Sequence, residues 1–269
     1  MQESDLVTTD ITDIDTYEGL LREAIEYAIL SIPFTFDRMG IRDLKKKIIN
    51  IAKGKFAENL FASFLKSKEI PIDQKTTSTP FFQTDKRDFI FNNLEWDIKN
   101  NYLTHADTYL NASQYLDLLA LIPNRASWDQ WSKRNQKYFT ETSGTGYVFT
   151  FMRKSSVGEH KEFFDINFSF AQELFIRDLY ETYEGKHQIA SPYEKSWFWE
   201  VFHSKGNPFG IVLHSHPQMI ISGIATNDDY DRFKNFKPSQ VQSPYLRTII
   251  SNMGLHISEL RSFKSMANL

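Results

Sequence analysis

The sequence predicts an α/β fold: a mixed β-sheet flanked by helices, with helical additions at both ends of the chain. Segments with helical and strand-like periodicity follow one another in the order helix, hairpin, helix, strand, strand, helix. The 269 residues are 41% hydrophobic and 24% charged, an ordinary globular composition. The sequence shows no internal repeat and no low-complexity linker, so we expect a single domain over 1–269.

The N-terminal part of the chain predicts two helices after a loose acidic leader at 1–15. The first helix runs to about Ser31 with its apolar residues on one face, and Pro33 ends it. The second helix begins near Arg42 and extends to about Ser67. Both helices have an apolar side that is expected to pack on the sheet.

A β-hairpin is predicted next. A short apolar strand begins at Asp88 and ends before the turn pair Asn92–Asn93. The alternation of residues 94–99 predicts the returning strand. Beyond the hairpin, the patterns predict strands at 115–122, 144–152 and 209–213, and helices at 170–183 and within 239–262.

Charge is unevenly distributed, although the net charge is only −3. Residues 1–31 have an excess of seven acidic side chains, whereas 42–70 and 232–269 each have an excess of five basic ones. Basic surfaces on a near-neutral body suit a partner with a phosphate backbone. Solvated helix faces would give the same composition, so charge alone leaves the partner open.

Composition excludes several function classes. The chain has no cysteine, which excludes disulfides, zinc ribbons, iron–sulfur clusters and thiol catalysis. No apolar run approaches the roughly 18 residues of a membrane span. The acidic N-terminus also lacks the pattern of a signal peptide. We therefore expect a cytoplasmic protein without a membrane partner.

The strongest chemical signal lies in the hairpin and the second helix. Asp97 and Lys99 are two positions apart in one strand and therefore share a face. Asp88 begins the preceding strand, where its carboxylate can lie beside Asp97 if the register allows. Glu58 lies within an apolar helical stripe, where a carboxylate must be paired, hydrogen-bonded or metal-bound. A salt bridge with Lys55 would also satisfy Glu58.

These side chains suit the hydrolysis of a phosphodiester. Two or three carboxylates without histidine or cysteine favour Mg²⁺, or Mn²⁺ in its place, over zinc. A lysine beside such a metal can hold the attacking water and stabilise phosphate charge. The pattern acid-x-Lys occurs five times, but only at Asp97-Ile98-Lys99 does it follow both a hairpin acid and a helical Glu. The alternative is a hairpin with ordinary surface acids.

Glu58, Asp88 and Asp97-Ile98-Lys99 together resemble the PD-(D/E)xK nuclease superfamily, which includes most type II restriction endonucleases. The resemblance implies a restriction-endonuclease-like core made of a helix, a three-stranded meander, a second helix and a fourth strand. Residues 42–122 follow this order. The proline of the motif is replaced by Arg87, at a position that is often variable in the superfamily.

The resemblance also implies a role for each residue. Asp88 and Asp97 are the metal-binding acids, and the Ile98 carbonyl is a further metal ligand. Lys99 is the catalytic lysine, which positions the attacking water. Glu58 is the acid of the first core helix and assists the metal or the water.

The expected activity is therefore that of a Mg²⁺-dependent endonuclease that cuts double-stranded DNA as a homodimer, leaving 3′-hydroxyl and 5′-phosphate ends. Its catalytic core would span about 42–152. Target recognition would lie in the polar insertion 124–143 and within 200–269, where the chain is basic. A non-catalytic DNA-binding module on a nuclease-like fold remains an alternative.

A zinc metallopeptidase is a further alternative. His214 and His216 share a strand face in GIVLHSHP, and this segment resembles the HxHP segment of JAMM-type metalloproteases, which would bind zinc. Ile224 and Asn227 stand at the positions where that pattern next requires Ser and Asp. A structural role would satisfy the two histidines equally well.

Overall fold

The computed structural model describes residues 1–9, 14–35, 43–83, 87–103, 110–123, 145–154, 164–183, 192–206, 210–213, 217–241 and 245–269. In these ranges the helices are α1 (Ile14–Ser31), α2 (Leu44–Ser67), α3 (Ala112–Leu116), α4 (Phe170–Tyr183), α5 (Lys195–Ser204) and α6 (Phe263–Ala267). The strands are β1 (Val7–Thr9), β2 (Phe89–Phe91), β3 (Leu94–Tyr102), β4 (Leu119–Pro123), β5 (Thr145–Lys154), β6 (Phe164–Asn167), β7 (Gly210–Leu213), β8 (Pro217–Thr226), β9 (Lys234–Phe236) and β10 (Asn252–His256).

A five-stranded mixed sheet forms the centre of the fold, in the strand order β1-β8-β5-β3-β2. Strands β3 and β5 are parallel, and the other neighbours are antiparallel. A second, antiparallel sheet has the order β4-β10-β9, and β6 pairs with β7. The predicted class, a mixed sheet with flanking helices, is confirmed at this general level.

Helices α1 and α2 cover one face of the central sheet. Trp96 of β3, Val148 of β5 and Ile221 of β8 are fully buried in the same core as the apolar sides of both helices. The Trp96 ring stacks on Phe89 at 6.4 Å between centroids, and Phe89 lies 5.3 Å from Phe61 of α2. The apolar stripes of the two predicted helices therefore pack on the sheet as expected.

The second sheet covers the opposite face. Tyr147, Phe149 and Phe151 of β5 are buried in one core with Leu121 of β4 and Leu255 of β10. Because successive side chains of a strand point to opposite faces, β5 supplies residues to both cores and is apolar on both sides. Within the described residues no helix is long and apolar enough to cross a lipid bilayer.

Two predicted segments differ from the structure at the ends of the chain. The leader 1–15 is not loose throughout, because β1 extends the central sheet by pairing Val7 with Ile221 of β8. The segment 239–262 contains strand β10 instead of long helices, since β10 pairs with both β4 and β9. The apolar residues of these segments are buried in sheets, because the segments pair with strands that are distant in sequence.

The predicted fourth strand of the core is also placed differently. The segment 115–122 ends α3 and then forms β4, which belongs to the second sheet. The strand that lies beside β3 is β5, where Asp97 pairs with Tyr147. The apolar pattern of β4 correctly predicts a buried strand, but it does not indicate the sheet to which that strand belongs.

Close packing between Trp96 and Gly146 gives a test of the packing on the face of the central sheet that α1 and α2 cover. A Cβ atom at residue 146 would lie 2.5 Å from Cζ3 of Trp96. We expect Gly146→Ala to lower the free energy of unfolding by about 1–3 kcal/mol through overpacking. Gly54→Ala is the control, because the added Cβ would meet nothing within 4 Å. Alanine also stabilises a helix by about 0.5–1 kcal/mol relative to glycine, so this variant should not lose stability. Urea unfolding measures both, and a wild-type midpoint for Gly146→Ala would contradict this packing.

Candidate active site

The β2–β3 hairpin sets the position of the predicted site. Asn92 and Asn93 have positive φ angles of 50° and 60°, as a two-residue type I′ turn requires. The turn leads to a register in which Phe89 pairs with Trp96. Trp96 faces the helices, and the next side chain, Asp97, therefore lies on the opposite face. The predicted hairpin and its turn are confirmed.

Asp88 lies where the pairing of β2 with β3 ends. Its backbone N–H donates to the Trp96 carbonyl at 2.9 Å, although Trp96 is already the partner of Phe89. Two consecutive residues thus face one residue of β3, which is the arrangement of a β-bulge and redirects a side chain. The Asp88 carboxylate accepts the backbone N–H of Ile98 at 2.5 Å. Asp88 therefore contacts the central residue of Asp97-Ile98-Lys99.

Asp97 and Lys99 form an ion pair on the face of β3 that is turned away from the helices. Lys99 Nζ lies 2.7 Å from Asp97 Oδ2, and the side chains are only 19% and 11% exposed, respectively. Partial burial reduces the screening of this pair by water. Lys99 Nζ also lies 5.6 Å from the ring centroid of Tyr147 on β5. The lysine is therefore held between a carboxylate and an aromatic face.

Buried polar groups surround this pair, and sequence patterns alone do not identify them. Burial raises the pKa of Tyr147 well above its ordinary value, and the nearby Tyr230 and Asp97 raise it further. The charge of Arg87 opposes this effect. Arg87 is buried, and its Nε lies 3.7 Å from Glu95 Oε2. The sequence identifies Arg87 only as the residue that replaces the proline of the motif, and Tyr147 has only the pattern of a core aromatic.

Glu58 is not brought together with the two aspartates. Among the described residues, no group of three or more His, Asp or Glu could hold a metal ion. Glu58 Oε2 lies 2.6 Å from Lys55 Nζ, and this ammonium lies 5.0 Å from the Tyr27 ring centroid. The structure thus shows the salt bridge that was the alternative explanation for this carboxylate.

The histidine segment and the polar insertion cannot be compared with their predictions. His214, His216 and the segment 124–143 lie outside the described residues, so their roles stay predictions. The two residues that break the metallopeptidase pattern have structural contacts. Ile224 is buried and exchanges backbone hydrogen bonds with Arg261, and the Asn227 side chain accepts a hydrogen bond from Thr145 at 2.6 Å.

Part of the positive charge in 232–269 is used within the fold. Arg261 Nε donates to Asp229 Oδ2 at 2.9 Å, and Arg232 donates to Asp229 Oδ1 at 3.2 Å. Arg232 also donates to the Glu259 carbonyl at 2.7 Å. The Asp229 carboxylate is almost fully buried. These two arginines stabilise the C-terminal region, which leaves mainly lysines for the predicted recognition surface.

No family model, curated protein or solved structure matches this chain. We therefore infer the function of the chain from the geometry of the hairpin and its neighbours.

Acid should weaken the contacts of Asp229. Burial raises the pKa of this carboxyl, but the Arg261 guanidinium and the Thr226 N–H lower it more, so the net shift is downward from 3.8. A carboxyl whose pKa is lower in the folded state than in the unfolded chain stabilises the fold at pH values above its ordinary pKa. This stabilisation is lost as the pH falls through the folded-state pKa. We expect Asp229→Asn to be less stable than wild type at neutral pH, with the gap closing below pH 3.8.

Urea midpoints across this acid range measure the effect. Asp231→Asn is the matched control, because Asp231 lies on the same turn and is exposed. A gap between wild type and Asp229→Asn that stays constant with pH would contradict the assignment.

The salt bridge of Glu58 predicts a limited role for this residue in any chemistry of the hairpin. If the chain cleaves DNA as the sequence predicts, Glu58→Gln should retain that activity within about tenfold, since its carboxylate is held by Lys55 and a half-buried pair contributes modestly. Lys55→Met should give a similar small loss of stability. Nuclease assays and urea unfolding of both variants measure this. A loss of cleavage in Glu58→Gln but not in Lys55→Met would show that the carboxylate acts on the site.

Proposed function

We propose that this chain is a Mg²⁺-dependent DNA endonuclease of the PD-(D/E)xK type. The supporting observation is the hydrogen bond from the Ile98 N–H to the Asp88 carboxylate. It links the acid that immediately precedes β2 to the middle of Asp97-Ile98-Lys99 in β3. Asp88, Asp97 and Lys99, three of the four side chains selected from the sequence for phosphodiester hydrolysis, thus lie on neighbouring parts of one hairpin.

The order of elements around the hairpin supports the same proposal. Asp73 exchanges backbone hydrogen bonds with Ile90 at 3.0 and 2.8 Å, which places a short third segment beside β2. Helix α2, this segment, β2, β3, α3 and β5 follow the helix, meander, helix and strand order of the superfamily core, with β4 of the second sheet inserted between α3 and β5. The parallel pairing of β5 with β3 supplies the fourth strand.

Mg²⁺ fits the oxygen donors at this point. Asp88 and Asp97 offer carboxylates, and the Ile98 carbonyl points to the β2 side because the N–H and C=O of one strand residue share a side. Protein sites for Mg²⁺ commonly use one or two carboxylates together with substrate phosphates, and Mn²⁺ accepts the same ligands. Bound there, the ion would stabilise negative charge on the scissile phosphate.

The protein side chains hold and orient the reacting groups. Lys99 donates hydrogen bonds to the attacking water and offsets the charge that develops on the phosphate. Before a metal ion binds, Asp97 orients the Lys99 ammonium through their 2.7 Å contact. The attacking water loses a proton to the solvent as its oxygen bonds to phosphorus, and the 3′ oxygen takes up a proton from the solvent as its bond to phosphorus breaks, leaving a 3′-hydroxyl and a 5′-phosphate. This polarity follows from the resemblance.

The proposal includes a cytoplasmic homodimer on double-stranded DNA, because two sites are needed to cut both strands of a palindrome. Specific recognition, as in a type II restriction enzyme, belongs to this proposal. A non-catalytic DNA-binding module is the second candidate. The observation that favours it is the ion pairing of Asp97 with Lys99 and of Glu58 with Lys55, which already satisfies four charges.

Plasmid and phage DNA incubated with the purified protein and Mg²⁺ separates the two candidates. We expect Lys99→Ala to lower the cleavage rate by about 100- to 1,000-fold, because a charge that stabilises the transition state is lost. EDTA should abolish cleavage by the wild type. Lys75→Ala is the matched control, since Lys75 ends another acid-x-Lys tripeptide and is exposed. Discrete bands would support sequence specificity, and smearing would support a nuclease without it.

Asp88→Asn distinguishes a structural from a chemical role of this aspartate. An asparagine side chain can still accept the Ile98 N–H, so the fold should survive while cleavage is lost. Asp97→Asn should likewise lose cleavage but keep or improve DNA binding, because a negative charge is removed beside the phosphate. Intact DNA on methylated and unmethylated substrates, with binding retained by the wild type, would favour the non-catalytic module.

A further inference from the structure

We infer that Tyr147 is a positioning residue for Lys99: its ring keeps the Lys99 ammonium at the site when the Asp97 carboxylate binds another cation. This inference rests on the proposed function of the hairpin. It starts from the pairing of β3 with β5, in which Asp97 and Tyr147 are direct neighbours and Lys99 is the neighbour of Phe149. Neighbours in register across two strands share a face.

The contact between Lys99 and Tyr147 has the geometry of a cation–π interaction. The ammonium lies 5.6 Å from the ring centroid, within the roughly 6 Å over which the ring quadrupole attracts a cation. Such contacts strengthen when water is partly excluded. Lys99 is only 19% exposed, so this condition is met.

The ring is immobilised by its own packing. Tyr147 is 1% exposed. Its ring lies 6.1 Å from Phe149 and 5.8 Å from Tyr230, so aromatic neighbours fix its orientation. A rigid ring restrains the lysine at little entropic cost, because the ring loses no freedom when the ammonium binds.

The two restraints on Lys99 respond differently to a metal ion. The carboxylate of Asp97 is an oxygen ligand, and a divalent cation competes with the ammonium for it. The ring face of Tyr147 has no oxygen ligand for Mg²⁺, so the ion does not compete with the Lys99 ammonium for the ring. The ring therefore retains Lys99 during the state in which the proposed reaction needs it.

Enzyme kinetics of Tyr147→Leu and Tyr147→Phe test the positioning role. Tyr147→Leu should lower kcat by about 3- to 30-fold with little change in KM, and Tyr147→Phe should restore it because the ring remains. Phe151→Leu is the matched control, since Phe151 is equally buried on the same face of β5. Equal losses in the two leucine variants would overturn the inference.

The Lys99 contact can also be measured without any assay of activity. In protein labelled with ¹³C-lysine, the ring current of Tyr147 should displace the side-chain signals of Lys99 from those of exposed lysines such as Lys75. Lys99→Arg assigns the signal. The displacement should persist with added Mg²⁺ and in Tyr147→Phe, and it should disappear in Tyr147→Leu.

The outcomes separate this inference from the proposed function. A Lys99 signal at the exposed-lysine position in the wild type, or one that moves there with Mg²⁺, overturns the inference even if Tyr147→Leu does not fold. A displaced signal that persists with Mg²⁺, together with the kcat loss of Tyr147→Leu, supports it. A displaced signal in a wild type that cleaves no DNA overturns the proposed function and with it the positioning role, while the contact itself stands.

Discussion

The register of the β2–β3 hairpin is the constraint on which the candidate site depends. Side chains alternate between the faces of a strand, so a slip by one residue would turn Trp96 away from the helices and place Asp97 against them. The type I′ turn at Asn92–Asn93 opposes such a slip. The Trp96 indole N–H adds a hydrogen bond to the Phe91 carbonyl at 3.1 Å. Burial of one aromatic ring thereby determines which face carries the charged residues.

The site combines charge with partial burial, and each charge has a nearby counterpart. Lys99 contacts Asp97, Arg87 lies close to Glu95, and the Asp88 carboxylate accepts a backbone N–H. Removing charged groups from water is costly unless they are paired or hydrogen-bonded. The contacts of Asp88, Asp97 and Lys99 meet this requirement and keep oxygen donors and an ammonium within one short stretch of chain. Under the proposed function, the site would exchange the Asp97–Lys99 ion pair for a metal ion and a phosphate.

Sequence patterns predicted the elements whose structure depends on residues that are close in sequence. The two N-terminal helices, the hairpin and helix α4 follow from apolar periodicity and turn residues. The choice of Asp97-Ile98-Lys99 among five acid-x-Lys tripeptides followed from the hairpin acid and the helical Glu that precede it, and its chemical role stays a prediction. Strand β8 was missed because it is buried on both faces and lacks alternation. The positions of β4 and β10 depend on pairing between distant segments, which periodicity does not encode. The aromatic contact of Tyr147 required the register of β5, which only the folded structure provides.

The central claim is that Asp88 and Asp97 belong to one site for a divalent cation. Electron paramagnetic resonance of Mn²⁺, titrated into the protein with a short DNA duplex, measures this directly. We expect the wild type and the control variant Asp73→Asn, which changes an exposed acid, to bind Mn²⁺, and both Asp88→Asn and Asp97→Asn to lose this binding. Unchanged Mn²⁺ binding in those two variants would contradict this claim.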